Sequence, residues 1–265
     1  MAAEHLTIVV PYRDRAAHLD LFLPHICAFF SRAVAERATG LDILVVEQGN
    51  AAPFNGGLLK NIGFDLARGR CTEVCFHDVD YLPIWVDYSK PTGLTPLVWY
   101  GAERRPLVPG GALQIEQRRD LFFGGVVLIP ARNFAAVNGY SNEYWGWGYD
   151  DVDLLARCVC AGVAIDRRKG TFHPIDHVNA GFSADGSLSE AHLRNRQLYQ
   201  SRWPQTLAQG AIDRAASRMD RDGLSSLHYG TTARRRLPRP PSDERGVAIE
   251  LVTVDFPAPD GAPQR

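Results

Sequence analysis

Apolar residues recur along the first eighty residues in two alternating patterns. "HLTIVV" is a short β-branched run that predicts a buried first strand. Pro11 is expected to stop it, with Arg13 and Arg15 in the loop that follows. "HLDLFLPHICAFFSRAVAERAT" spaces its apolar residues for a helix that ends by Gly40. "LDILVVEQ" predicts a second buried strand, "FNGGLLKNIGFDLARGR" a glycine-rich turn and a helix, and "TEVCFHDVDYLP" a third strand running into acids. Strands alternating with helices predict an α/β fold, a Rossmann-like, mainly parallel central sheet with helices on both faces. Ligands of such sheets sit at the carboxyl ends of the strands. Arg13, Arg15, Asp78 and Asp80 fall at those ends.

The pattern changes after residue 90. "KPTGLTPLVWYGAERRPLVPGGALQIEQRR" has no sustained period and reads as a long loop. "DLFFGGVVLIP" returns to strand character, and "ARNFAAVNG" reads as a helix ended by Gly139. "DDVDLLARCVCAG" is helical, with Asp150 and Asp151 at its amino end. Residues 192–219 are polar and helical in parts. "TTARRRLPRPPSDERG" reads as an exposed loop, and "VAIELVTVDF" as a last, edge strand. No internal repeat is visible. Residues 1–256 are expected to form one domain, and 257–265 a disordered tail.

Composition narrows the function. The chain has 265 residues, 45% hydrophobic and 22% charged, with net charge −1. That balance gives no general attraction to nucleic acid, so a phosphorylated ligand would need local arginines. No apolar run approaches the ~20 residues that span a bilayer. The amino end lacks a secretory signal pattern, which leads to the expectation of a soluble, cytoplasmic protein. Cys71/Cys75 and Cys158/Cys160 do not form CxxC pairs, so free thiols are expected rather than a zinc ribbon.

Each candidate motif has a plain structural alternative. Asp78 and Asp80 could bind a sugar hydroxyl and a hard cation bridged to phosphate, but aspartate after a strand is also a common turn residue. Arg13 and Arg15 suit phosphate, or simply face solvent. His173 and His177 could complete a metal site with Asp80, or be ordinary histidines. "NEYWGWGYDDVD" (142–153) is harder to set aside. Gly146 and Gly148 are poor choices within a helix, and sugars stack on tryptophan while pairing hydroxyls with carboxylates. A carboxylate held near an acceptor hydroxyl can also take its proton. The alternative is that the tryptophans are core and the acids cap a helix.

In order, "VPYRDR", "FNGGLLKNIGF", "DVDYLP", "FFGGVVLIP", "NGYSNEYWGWGYDDVD" and "DGLSSLHY" resemble the β-1,4-galactosyltransferase family across about residues 7–256. The resemblance implies the GT-A nucleotide-sugar fold and an inverting, Mn²⁺-dependent transfer from a UDP-sugar to a saccharide acceptor. It implies donor contacts at Pro11, Arg13, Arg15, Phe54, Asp78, Val79, Phe122, Gly125 and Trp147. Acceptor contacts would come from Trp147, Gly148, Asp150 and Asp151, with Asp151 the general base. Asp80 would bind the metal, completed by His177 or, second, His173.

The pattern departs from the family in several places. Pro174 and Ile175 stand where a further ligand is expected, and Gly56 follows the FN motif in place of arginine. Phe122 replaces a tyrosine, which leaves galactose and N-acetylgalactosamine both open as the transferred sugar. The membrane anchor and stem of the animal members are not expected. A nucleotide-sugar-binding protein without turnover and a metal-dependent hydrolase are the competing classes. The first would not need both Asp80 and Asp151, and the second leaves the WGWG segment unexplained.

Overall fold

A computed structural model describes residues 4–33, 40–98, 123–175, 181, 183, 186–203 and 217–258. A seven-stranded sheet carries the molecule. Its inner strands are β1 (His5–Tyr12), β2 (Gly40–Gln48), β3 (Glu73–His77) and β9 (Ala248–Asp255). These four run parallel in the order β3-β1-β2-β9. Antiparallel strands flank them. β5 (Thr95–Pro96) and β6 (Val126–Pro130) lie beyond β3, and β8 (Gly230–Arg236) lies beyond β9. A separate two-stranded sheet pairs β4 (Tyr81–Trp85) with β7 (Thr171–Pro174).

The inner strands are buried on both faces, which explains their unbroken apolar runs. On one face α1 (Ala16–Ala33) packs Phe22, Ile26 and Phe30 against Ile8, Val10 and Ile43. On the other, α2 (Gly56–Ala67), α3 (Ala131–Ala136) and α4 (Asp150–Cys160) bury Leu59, Ile62, Phe134 and Leu154 with Val9, Leu44 and Val46. Each large side chain removed from water contributes about 1.5–3 kcal/mol, so the two layers lock the strand ends in place. A further helix, α5 (Glu190–Arg202), lies outside these clusters.

Three expectations need correction. Pro11 does not stop the first strand, which runs on to Tyr12 with Pro11 opposite Val46. β3 pairs with β1 only as far as Val9, which leaves Pro11 no strand on that side. β9 is an inner strand rather than an edge. The edge is β8, formed by "GTTARRR" from within the expected loop, and every residue of it is exposed. Its polar sequence has no buried face, so hydrophobic alternation could not reveal it. The expected third strand is two strands, because Asp78–Asp80 turns the chain into the second sheet. The long segment read as a loop lies mostly outside the described residues, as do residues 259–265 of the expected tail.

Candidate active site

The carboxyl ends of β1 and β3, the start of α2 and the start of α4 face one another. Pro11 is buried at the end of β1. Arg13 follows in the loop. Its guanidinium donates to Ala52 O at 2.6 Å and lies 5.4 Å from the Phe54 ring centroid. Arg15 turns its carbonyl to the first helical turn, accepting from His18 N and Leu19 N. Asn55 caps α2, its side chain accepting from Leu58 N at 2.9 Å. Beside it Gly146 N donates to Phe54 O at 2.7 Å, so the WGWG segment meets the FN segment through its backbone.

At the end of β3, Asp78 N donates to Gly125 O at 2.8 Å. This ties the acidic turn to the FFGG segment. Behind the turn His77 is fully buried. The Asp78 carbonyl can only accept, so His77 Nδ1 donates to it at 2.9 Å and Nε2 accepts from Tyr88 OH at 2.9 Å. Burial lowers His77 to about 4 and keeps this ring neutral. Val79 and Asp80 are buried. Asp80 O accepts from Ile175 N at 2.7 Å, which continues the β4–β7 ladder one residue beyond the Tyr81–Pro174 pair. His173 lies opposite Leu82 in this ladder. Phe122 and His177 fall outside the described residues.

The acids of the WGWG segment separate into two groups. Asp150 and Asp151 are partly buried at the first turn of α4. Lys60 Nζ bonds both, at 3.3 Å to Asp150 Oδ2 and 3.0 Å to Asp151 Oδ1. Tyr140 OH donates to the same Asp151 Oδ1 at 3.2 Å. Burial pushes Asp151 up to about 6, against the pull of Lys60 and with the push of Asp150. Asp153 belongs elsewhere. It is buried and bonded to Arg157 at 2.6 Å, Tyr144 at 3.0 Å and Trp203 at 2.8 Å, so it holds helices together.

The aromatics divide in the same way. Tyr144 and Trp145 are core, the latter packed on Phe256, while Trp147 is 41% exposed. The Trp147 ring stacks on His192 of α5 with centroids 5.1 Å apart. A Cβ at Gly148 would stand 3.1 Å from His192 Nδ1, so a larger residue would strain that contact.

Among the described residues no three acidic, histidine or cysteine side chains converge into a closed metal site. The donor chemistry nevertheless suits a hard divalent cation. Asp78 is pushed well above the usual carboxylate range by burial, and Asp80, Asp151 and Asp150 add to the effect of burial while Lys60 opposes it. A cation beside Asp80 would relieve that excess of negative charge.

Two family models match the chain. The N-terminal region of glycosyl transferase group 7 matches residues 1–88, and the N-terminal domain of galactosyltransferase matches residues 111–180. The chain belongs to the β-1,4-galactosyltransferase family. Among named relatives it is 32% identical to β-1,4-galactosyltransferase 7 of Drosophila melanogaster, over 66% of this chain and 52% of that one. It is 32% identical to β-1,4-galactosyltransferase 5 of Sus scrofa, over 84% of this chain and 51% of that one. It spans about half the length of these two relatives. It is also 26% identical to the xylosylprotein 4-β-galactosyltransferase of Caenorhabditis elegans, over 94% of this chain and 77% of that one.

The fold is GT-A. It superimposes with a TM-score of 0.71 on a mutant of Drosophila β-1,4-galactosyltransferase 7 in complex with manganese, UDP-Gal and xylobiose. That match has 22% identity and covers 97% of this chain and 96% of the other. The catalytic domain of the same enzyme with xylobiose matches equally, at 23% identity with a TM-score of 0.71 and the same coverage.

Within this galactosyltransferase-family chain, sequence reasoning passed over Lys60, Tyr140 and Asn195. Lys60 stands inside a quoted motif, yet only the fold reveals the acids it meets. Asn195 Nδ2 donates to the carbonyls of Trp145 at 3.1 Å, Trp147 at 3.3 Å and Gly148 at 3.1 Å.

Proposed function

We propose that this chain is the catalytic domain of a UDP-galactose-dependent, inverting galactosyltransferase. The observation that carries it is Asp151, a carboxylate held at the start of α4 by Lys60 and Tyr140, in a family whose chemistry needs a base at the acceptor. One domain over residues 1–256 is supported by β1 and β9 sharing one sheet. No described helix is long and apolar enough to cross a membrane. Placement in the cytoplasm is supported by the five cysteines, all free thiols and four of them buried.

In this reading Arg13 and Arg15 face the diphosphate, Phe54 packs on uracil, and Pro11, Asp78, Val79, Phe122 and Gly125 line the rest of the donor site. Asp80 with His177, or with His173, would hold Mn²⁺. When bound there, Mn²⁺ supplies neutralisation of the charge that develops on the leaving diphosphate. Asp150 and Gly148 hold the acceptor sugar, and Trp147 contacts both donor and acceptor. Asp151 accepts the proton of the acceptor hydroxyl as its oxygen bonds the anomeric carbon. The bond to UDP breaks on the opposite face and UDP keeps the electron pair. An α-linked donor therefore gives a β-linked product.

The acceptor is proposed to end in a pentose or hexose with a free 4-hydroxyl. Xylobiose, bound by the structural neighbours, is the first to test. The test is galactose transfer from UDP-galactose by the wild type and Asp151→Asn. Asp151→Asn should lose activity by a factor of about 100 or more while keeping donor binding. Transfer at the wild-type rate would refute the base assignment. Faster transfer from UDP-N-acetylgalactosamine would revise the donor.

A further inference from the structure

Lys60 sits in the middle of α2, among residues that pack on the sheet, and is only 4% exposed. An ammonium group at such a place costs free energy unless it is fully paired. A methionine of similar length would fill the space, so packing does not call for a cation here. What the cation meets is the acid pair. Nζ takes Asp151 Oδ1 and Asp150 Oδ2, and the Tyr140 ring lies 4.8 Å away. Tyr140 OH adds a second donor on the same Asp151 Oδ1. Among the described residues Asp151 Oδ2 has no hydrogen-bond donor. It lies against Gly124, where a Cβ would stand 2.4 Å from it.

We propose that Lys60 is the positioning residue of this site: it clamps Asp151 by Oδ1 and leaves Oδ2 as the oxygen that takes the acceptor proton, an inference that rests on the transferase reading above. One oxygen of the base is saturated by two donors from separate segments. The other lies against Gly124, which has no side chain. The same ammonium restrains Asp150, so two adjacent carboxylates keep a fixed separation despite their repulsion. Lys60 makes no contact with the reacting atoms. Its effect passes through the geometry and ionisation of Asp151.

The groups facing Asp151 are Lys60 from α2, Asp150 from α4, Tyr140 from the segment before it and Asp78 from the end of β3, which also faces Lys60. Burial raises Asp151, and Lys60 is the largest influence holding it down. The base works when ionised, so kcat/KM of the wild type should fall as pH drops through about 6. Removing the cation raises the base further. For Lys60→Met the acid limb should therefore move up by about 1–3 pH units. Transfer at pH 7 should fall by about 2-fold for a one-unit shift and by about 100-fold for a three-unit shift, and alkaline pH should restore most of it. UDP-galactose affinity measured by calorimetry should stay within about threefold, since no donor contact is assigned to Lys60.

A merely structural role would lower the rate at every pH. An acid limb that stays at its wild-type position, or a loss that no pH restores, overturns the proposal. Lys60→Gln keeps a donor and drops the charge, so it carries the same test should Lys60→Met fail to fold. Wild-type protein that transfers nothing overturns the transferase reading and this proposal together. Wild-type transfer beside an unmoved acid limb in the variant overturns this proposal alone.

Discussion

At the scale of single residues, the site depends on what has no side chain. Gly124 has φ +140° and its missing Cβ leaves room for the Asp151 carboxylate. Alanine there would drive a methyl group into the base and adopt a backbone conformation that L-residues avoid. Gly124→Ala should lower the unfolding free energy by about 1–3 kcal/mol. It should also cut galactose transfer by at least about tenfold, because the displaced carboxylate no longer meets the acceptor. Urea denaturation and initial rates on the same preparation check both. A variant as active as the wild type would mean that Oδ2 is not where the chemistry occurs. Though the resemblance gives a role only to Gly125 and none to Gly124, the FFGG motif itself was legible in the sequence. Lys60 was not, because a lysine in an amphipathic helix ordinarily marks the solvent face. Its acids lie about ninety residues further along, and only the docking of α2 against α4 brings them together.

At the scale of elements, α5 acts as a clasp on the WGWG segment. Its first turn presents His192 to the Trp147 ring, and one turn later Asn195 binds three carbonyls of the segment. Arg194 Nη2 donates to Trp145 O at 3.0 Å as well. Tyr149, with φ +71°, is a left-handed residue just before Asp150, and its ring is held between His192 and Tyr199. Asn195→Ala removes the donor shared by the three carbonyls. It should cost about 1–3 kcal/mol of stability. The freed segment should be cut faster by protease near Trp147. Unchanged melting and unchanged cleavage would show that the clasp is dispensable. The helical spacing of α5 was partly legible, yet nothing in its polar sequence names the segment it grips. The aromatic cluster was legible as a unit. Its division into core (Tyr144, Trp145) and exposed ring (Trp147) was not, because that depends on which face meets Phe256.

At the scale of the whole molecule, the parallel strands set the reading. Four buried runs place the ends of β1 and β3 side by side, and the acids and arginines collect there for the reason that governs open α/β sheets generally. The sequence alternation conveyed that much. It missed β8, whose strand character comes from pairing with β9 rather than from a buried face. A second, structural polar network lies behind α4. Arg157 bonds Asp153 and Asp222, and Arg202 bonds Ser141, Asp222 and Glu143. It separates the three carboxylates of one short stretch: Asp153 fastens the helix, while Asp150 and Asp151 lie at the proposed site.

The central claim is a metal-dependent UDP-sugar site at the end of β3, and it can be measured without knowing the acceptor. The measurement is calorimetric titration of UDP-galactose into the wild type and Asp80→Ala, each with and without Mn²⁺. The account predicts that the wild type binds tightly only with Mn²⁺, and that Asp80→Ala loses at least about tenfold in affinity. No binding by the wild type with Mn²⁺ present, or equal binding by Asp80→Ala, would contradict it.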